Sequence, residues 1–269
     1  VFCNGGYQFG KRLYHDWKAS GHGYVDLHNA LVHSCDVYFY TIGQRMGIDV
    51  MAEFGKDFGL GKATGVELPS ERTGIMPSTA WKQKAKNEQW LPGETISAAI
   101  GQGYVTVTPL QMASLVGTVA NNGVSYRPRL VQAVMDRMSG NLQELPAVPR
   151  GKINAKPETF RVIKDALADV VTKGTATRAK SSMVTIGGKT GTAQVAALRT
   201  GPEENIPKKF RDHAWFVAFA PVESPKIAVA VLAEHMGHGG AAAAPLAKEV
   251  IETYMKLAPQ VPAVTSDLS

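Results

Sequence analysis

The chain has 269 residues, 44% hydrophobic and 19% charged, enough for one large domain or two small ones with a substantial core, which excludes a disordered protein. Its formal charge of +6 suits an anionic partner such as a polyanionic wall or membrane surface, but the basic residues are neither massed nor interleaved with aromatics, so nucleic acid is not expected. No run of about 18 apolar residues occurs, so no segment is expected to span a membrane.

The sequence opens on Val1-Phe2-Cys3 with no initiator Met and no signal peptide, and it reads as the C-terminal part of a longer protein. Residues 1–35 are rich in Gly, His and aromatics and contain both cysteines, Cys3 and Cys35. Asp26 is placed to cap a helix over Leu27, Ala30 and Leu31, and a second helix is predicted over residues 37–46. Ser34-Cys35-Asp36 falls where the two meet. Asp49 is expected to open a short helix ending at Gly59, and residues 60–95 read as loops with one helix near 78–86. Lys82, Lys84 and Lys86 on that helix read as a solvated face.

Thr108-Pro109-Leu110-Gln111 is a capping box with proline at the first helical position. Its helix is expected to bury Leu110, Ala113 and Val116 and to stop at Asn121-Asn122-Gly123. A strand and loop excursion over 124–157 then leads to a helix from Pro157 to Thr172, with Phe160, Ile163, Leu167 and Val170 on one face.

Met183-Val184-Thr185-Ile186 has strand composition and leads into Gly187-Gly188-Lys189-Thr190-Gly191-Thr192-Ala193-Gln194, followed by the apolar Val195-Ala196-Ala197-Leu198. A cation, two hydroxyls and a glycine on one extended segment suit a carboxylate-ended substrate docked along a sheet edge, although Lys-Thr-Gly alone also reads as a surface turn. Two further strands are predicted at 214–220 and 227–233, joined as a hairpin through 221–225. Both faces of both strands are apolar, so helices should cover the sheet on each side, one of them at 243–257. A disordered tail is expected over 258–269.

Ser34-Cys35-Asp36, Ile100-Gly101-Gln102-Gly103 with Thr108-Pro109-Leu110-Gln111, and Lys189-Thr190-Gly191-Thr192 occur in the order and spacing of class B penicillin-binding proteins, which the chain resembles over residues 1–257. Arg211-Asp212-His213 before Trp215-Phe216-Val217-Ala218 is similar to the sheet that follows the last motif. Tyr14-His15-Asp16-Trp17-Lys18 and Gly21-His22-Gly23 resemble the penicillin-binding protein 2 group within the class, the transpeptidases of rod-shape elongation. The resemblance implies an α+β transpeptidase fold of the penicillin-binding and serine β-lactamase type, incomplete at its N-terminus. It has an antiparallel sheet flanked by helices (here residues 181–257) and a mostly helical part (residues 1–180).

The implied chemistry is acyl transfer. A serine in Ser-x-x-Lys attacks the D-Ala-D-Ala amide of a peptidoglycan stem peptide, an amine of a neighbouring stem opens the acyl-enzyme, and β-lactam antibiotics acylate the same serine. The resemblance also implies partners among elongation-machinery membrane proteins, reached through the missing N-terminal part, and a place at the periplasmic face of the inner membrane. It makes Ser34 the second-motif serine, relaying protons between nucleophile and leaving amine; taken alone, Ser34 reads as a helix-junction cap. Asp36 stands where many relatives have Asn, which places a donor role there in question. Lys189 supplies charge near the substrate carboxylate and Ser34, Thr190 and Thr192 offer hydroxyls around Gly191, and the Thr192 N–H is one of two oxyanion donors.

No Ser-x-x-Lys occurs in the 269 residues; by resemblance the nucleophile helix lies about twenty residues before Val1, and the chain alone is expected not to form an acyl-enzyme. Two other readings stand beside this one: a serine β-lactamase or D,D-carboxypeptidase of the same fold, and a non-catalytic partner-binding module.

Cys3, Asp16, His22 and Cys35 offer two thiolates, an imidazole and a carboxylate, a set that suits tetrahedral Zn²⁺. Some penicillin-binding protein 2 relatives carry zinc beside the second motif through Asp, Asp, His and Cys. Asp16, His22 and Cys35 match the last three, and Cys3 falls where the first Asp would be. A structural zinc and no organic cofactor are expected, with a disulfide or two unrelated thiols as alternatives. His15 is a reserve ligand that points away from Asp16 if the stretch is extended.

Overall fold

The computed structural model describes residues 1–195 and 206–257. It opens with strands β1 (Phe2–Cys3), β2 (Gly6–Phe9), β3 (Arg12–His15) and β4 (Gly23–Tyr24), paired antiparallel as β1–β4 and β2–β3. Helices α1 (Leu27–His33), α2 (Asp36–Met46), α3 (Ile48–Asp57), α4 (Thr79–Lys86), α5 (Pro92–Ala99) and α6 (Pro109–Ala120) follow. The excursion after them holds β5 (Val124–Tyr126), β6 (Ala133–Met135), β7 (Leu142–Glu144) and β8 (Pro149–Lys152), paired β5–β8 and β6–β7. Helix α7 (Pro157–Thr172) leads to the main sheet, β9 (Gly187–Ala193), β10 (His213–Ala220) and β11 (Ile227–Ala233), and α8 (Ala243–Leu257) comes last.

The main sheet is antiparallel in the order β11-β10-β9, which leaves β9 at an edge among the described residues. Opposite residues share a face, so the pairing of Lys189 with Val217 and of Thr190 with Phe216 sets the two faces. One face carries Ala214, Phe216 and Ala218 and is sealed by Ala243, Ala244, Ala247 and Ile251 of α8. The other carries Val217, Phe219 and Ala228 against Val116, Val119 and Ala120 of α6 and Leu167 of α7. Helices thus cover both faces, as the doubly apolar strands require.

Several expectations change. Met183–Ile186 is not strand, Met183 and Val184 lying in a bend: β-branched composition is insufficient without a ladder partner, and the strand begins at Gly187. Asp49 lies in the first turn of α3, where Gly47 is the cap, and its carboxylate instead accepts from the Thr79 N–H at 2.9 Å, tying α3 to α4. Residues 92–95, read as loop, open α5, begun by proline at the first position and by the Glu94 side chain accepting from the Leu91 N–H. Lys82 is buried, not solvated, with Nζ 2.6 Å from Glu94 and 3.3 Å from Glu88. On α6, Leu110 and Ala113 are half-buried and Gln111 is buried in their stead. Its amide donates to the carbonyls of Lys62 and Thr73 at 2.8 and 2.7 Å, satisfying loop backbone that would otherwise be stranded. The stretch 196–198 and the tail 258–269 lie outside the described residues.

Candidate active site and metal centre

Asp26 caps α1 by accepting from the Asn29 N–H, and the helix ends at Ser34 in a left-handed conformation, φ 53° and ψ 51°. That turn throws the Ser34 side chain out of the α1–α2 junction toward β9. Lys189 reaches it from the strand: its Nζ donates to Ser34 Oγ at 2.9 Å and to the Thr190 carbonyl at 3.1 Å. With one lone pair of Oγ held by Lys189, the serine keeps its own proton to donate and a second lone pair to accept, which is what a relay needs.

Burial pushes the Lys189 ammonium down to about 8, against the pull of the Asp36 carboxylate. Burial likewise pushes Asp36 up to about 6, although the Trp17 N–H, which it accepts at 3.0 Å, and Lys189 both draw it down. A carboxyl titrating there gains one O–H donor when protonated, so on the acid side Asp36 can donate as well as accept.

On β9, the Gln102 side chain donates to the Thr192 carbonyl at 2.8 Å. A strand residue points its N–H and C=O to the same side, so the Thr192 N–H also faces the open edge, where an oxyanion donor would have to be. Thr190 Oγ1 is 2.8 Å from Thr175 Oγ1, at the end of α7. Gly191 lies beneath Gly239, where a Cβ would stand 2.1 Å from the Trp215 carbonyl oxygen and 2.5 Å from that of Gly191.

Next to Ser34-Cys35-Asp36, the ligating atoms of Cys3, Asp16, His22 and Cys35 all lie within 4.8 Å of one another. Asp16 Oδ2 is 3.4 Å from both sulfurs, and His22 Nδ1 is 3.4 Å from Asp16 Oδ1 and 3.6 Å from Cys3 Sγ. Both thiols are free and buried, burial pushes that of Cys35 up, and burial lowers His22 more than the Asp16 carboxylate raises it. The cluster forms because Gly21 is pressed against the Cys3 carbonyl, where a Cβ would sit 2.3 Å away, at a φ of +73°. His15, at the end of β3, is exposed and is not among the clustered ligating residues.

The chain matches the family model of the penicillin binding protein transpeptidase domain over residues 1–252. It belongs to that family. The peptidoglycan D,D-transpeptidase MrdA of Acinetobacter baumannii is 40% identical over 90% of this chain, and that of Haemophilus influenzae 38% identical over 91%. The chain spans 36% and 38% of the lengths of those two relatives. Among solved structures, the penicillin-binding protein PBP2 of Helicobacter pylori in complex with MreC superposes with a TM-score of 0.82 at 30% identity, over 96% of this chain and 45% of that one. Pseudomonas aeruginosa PBP2 in complex with WCK 5153 gives 0.79 at 34% identity, over 94% and 53%.

The fold is therefore the α+β penicillin-binding transpeptidase fold, here with Ser34 and Lys189 in contact. Three residues around the Ser34–Lys189 contact and β9 have no role read from the sequence. Trp17 donates its indole N–H to the carbonyls of His33 and Ser34, both at 3.0 Å, and so holds the left-handed turn. Gln102 bridges to β9, and Thr175 supports Thr190. Trp17 and Gln102 sit in blocks the resemblance had already marked; Thr175 carries no signal in the sequence.

Proposed function

We propose that this chain is the part of a peptidoglycan D,D-transpeptidase, of the elongation type, that carries the second and third catalytic motifs and binds β-lactams. The observation that carries the reading is the 2.9 Å contact between Lys189 Nζ and Ser34 Oγ, across the cleft between the helical part and the sheet. The nucleophile comes from a Ser-x-x-Lys helix, which these 269 residues do not contain. When its oxygen bonds to the stem-peptide carbonyl and the amide C–N bond breaks, the serine proton has to reach the departing amine. Ser34 passes it, Lys189 holds Ser34 and draws in the terminal carboxylate, and the Thr192 N–H stabilises the oxyanion.

Cys3, Asp16, His22 and Cys35 would hold a structural zinc. Four of the spacings around Asp16 and Cys3, at 3.4–3.6 Å, fall in the range of the edges of a tetrahedron with ordinary zinc bond lengths, about 3.3–3.8 Å. Bound there, zinc supplies no step of the chemistry; it ties β1 to the start of α2 and so holds the turn that presents Ser34. By family, the working surface is the periplasmic face of the inner membrane, the substrates are stem peptides, and the partners are membrane proteins of the elongation machinery.

The test is covalent labelling by a fluorescent penicillin in the protein that joins this segment to a Ser-x-x-Lys helix. Ser34→Ala and Lys189→Ala are each expected to slow labelling about 10²–10⁴-fold, and the 269-residue chain alone to take none. Labelling at parental rates in both variants sinks the reading.

A further inference from the structure

Antiparallel pairing with β10 uses alternate residues of β9, so Thr190 and Thr192 turn their backbone groups to the open edge. Both outward carbonyls are taken by side chains: Lys189 Nζ donates to that of Thr190 at 3.1 Å, and Gln102 Nε2 to that of Thr192 at 2.8 Å. An extended peptide laid on this edge would offer its C=O to the Thr192 N–H and its own N–H to the Thr192 carbonyl. The second of those places is already filled.

The turn that fills it is held by backbone and ring contacts, with glycines on either side of Gln102. Gln102 stands between Gly101 and Gly103, at φ +75° and +71°, and a Cβ on Gly101 would meet nothing within 4 Å. Before the turn, the Gln102 N–H donates to the Ser97 carbonyl at the end of α5 at 3.0 Å. After it, the Tyr104 ring is packed at 5.2 Å from Trp81, with Lys82 Nζ 5.8 Å above it.

We propose that Gln102 is a specificity-determining residue of the cleft: its amide competes with a ligand's backbone-like N–H for the Thr192 carbonyl. This rests on the transpeptidase reading above. A ligand with a well-placed amide N–H displaces Gln102 and exchanges one hydrogen bond for another; a ligand without one leaves Gln102 in place. Removing the glutamine donor lets the amide-bearing ligand satisfy a bare carbonyl, and makes the amide-free ligand bury it unsatisfied.

The experiment compares benzylpenicillin, whose side chain carries an amide N–H, with penicillanic acid, the same nucleus without it, as acylating agents of the nucleophile-bearing protein. In Gln102→Met, which keeps the length of the side chain but has no donor, and in Gln102→Ala, the ratio of the two acylation rates is expected to rise about threefold to tenfold. Thermal unfolding of each variant checks that the fold is intact. A ratio that moves less than about twofold, or falls, in Gln102→Met overturns the competition while leaving the transpeptidase reading standing. A parent that takes up neither compound overturns that reading, and the competition with it.

Discussion

Ser34 adopts a left-handed backbone that costs a non-glycine residue about 1–2 kcal/mol, and the Trp17 indole bonded to its carbonyl helps to hold it there. A strained serine at a helix junction, touched by a lysine from a distant strand, is an arrangement that packing alone would not favour. The two charged groups beside it are tuned in opposite directions. Asp36 titrates at about 6 instead of its ordinary 3.8, so between those values the folded chain binds more protons than the unfolded chain and stability falls as pH rises. Lys189 titrates at about 8 instead of 10.5, so between those values the folded chain binds fewer protons and stability rises with pH. Asp36→Asn is therefore expected to abolish the loss of stability between pH 4 and 6, which amounts to no more than about 3 kcal/mol, and to leave the alkaline rise in place. Urea unfolding of both proteins across that range measures it; an unchanged acid slope in the variant means that Asp36 is not the group responsible for it.

At the scale of elements, what could be read from sequence was what neighbours within a few residues decide. The Thr108 capping box, the proline that opens α7 and the apolar face of that helix are local, and the structure has each where the pattern puts it. Helix α5 escaped because Pro92 and Gly93 read as loop. What holds it is distant: the Gln44 amide donates to the Pro92 carbonyl at 2.7 Å, and Lys82 holds Glu94. Lys82 misled for the same reason, since a lysine run looks solvated until a partner helix supplies carboxylates. Close approach of backbones is equally invisible in a sequence. Gly239→Ala, which would put a Cβ 2.1 Å from the Trp215 carbonyl oxygen, is expected to cost about 1–3 kcal/mol or more by forcing the 237–240 segment off β9 and β10. A thermal midpoint equal to that of the parent would show that the segment yields freely.

At the scale of the whole molecule, the cleft depends on two connections between parts far apart in the chain. One is the Lys189–Ser34 contact, 155 positions apart; the other is the cluster that ties Cys3 and Asp16 to the start of α2. If the cluster holds zinc, the purified chain should carry about one zinc ion each, lost in Cys35→Ser. Stripping it with a chelator should lower the thermal midpoint by several degrees and open Cys3 and Cys35 to thiol reagents. A metal-free parent with the same midpoint before and after chelation would end that proposal.

Sequence by itself determined most element types, the Asp26 and Thr108 caps and the apolar faces of the sheet, because each depends on side-chain period or on hydrogen bonds a few positions long. Only tertiary structure decided that Ser34 meets Lys189, that Gln102 occupies the Thr192 carbonyl and that Lys82 is buried. Those facts turn on which surfaces pack together, and burial then sets the charge states: a lysine and a carboxyl that water would hold ionised at neutral pH are drawn toward neutrality where the protein excludes it.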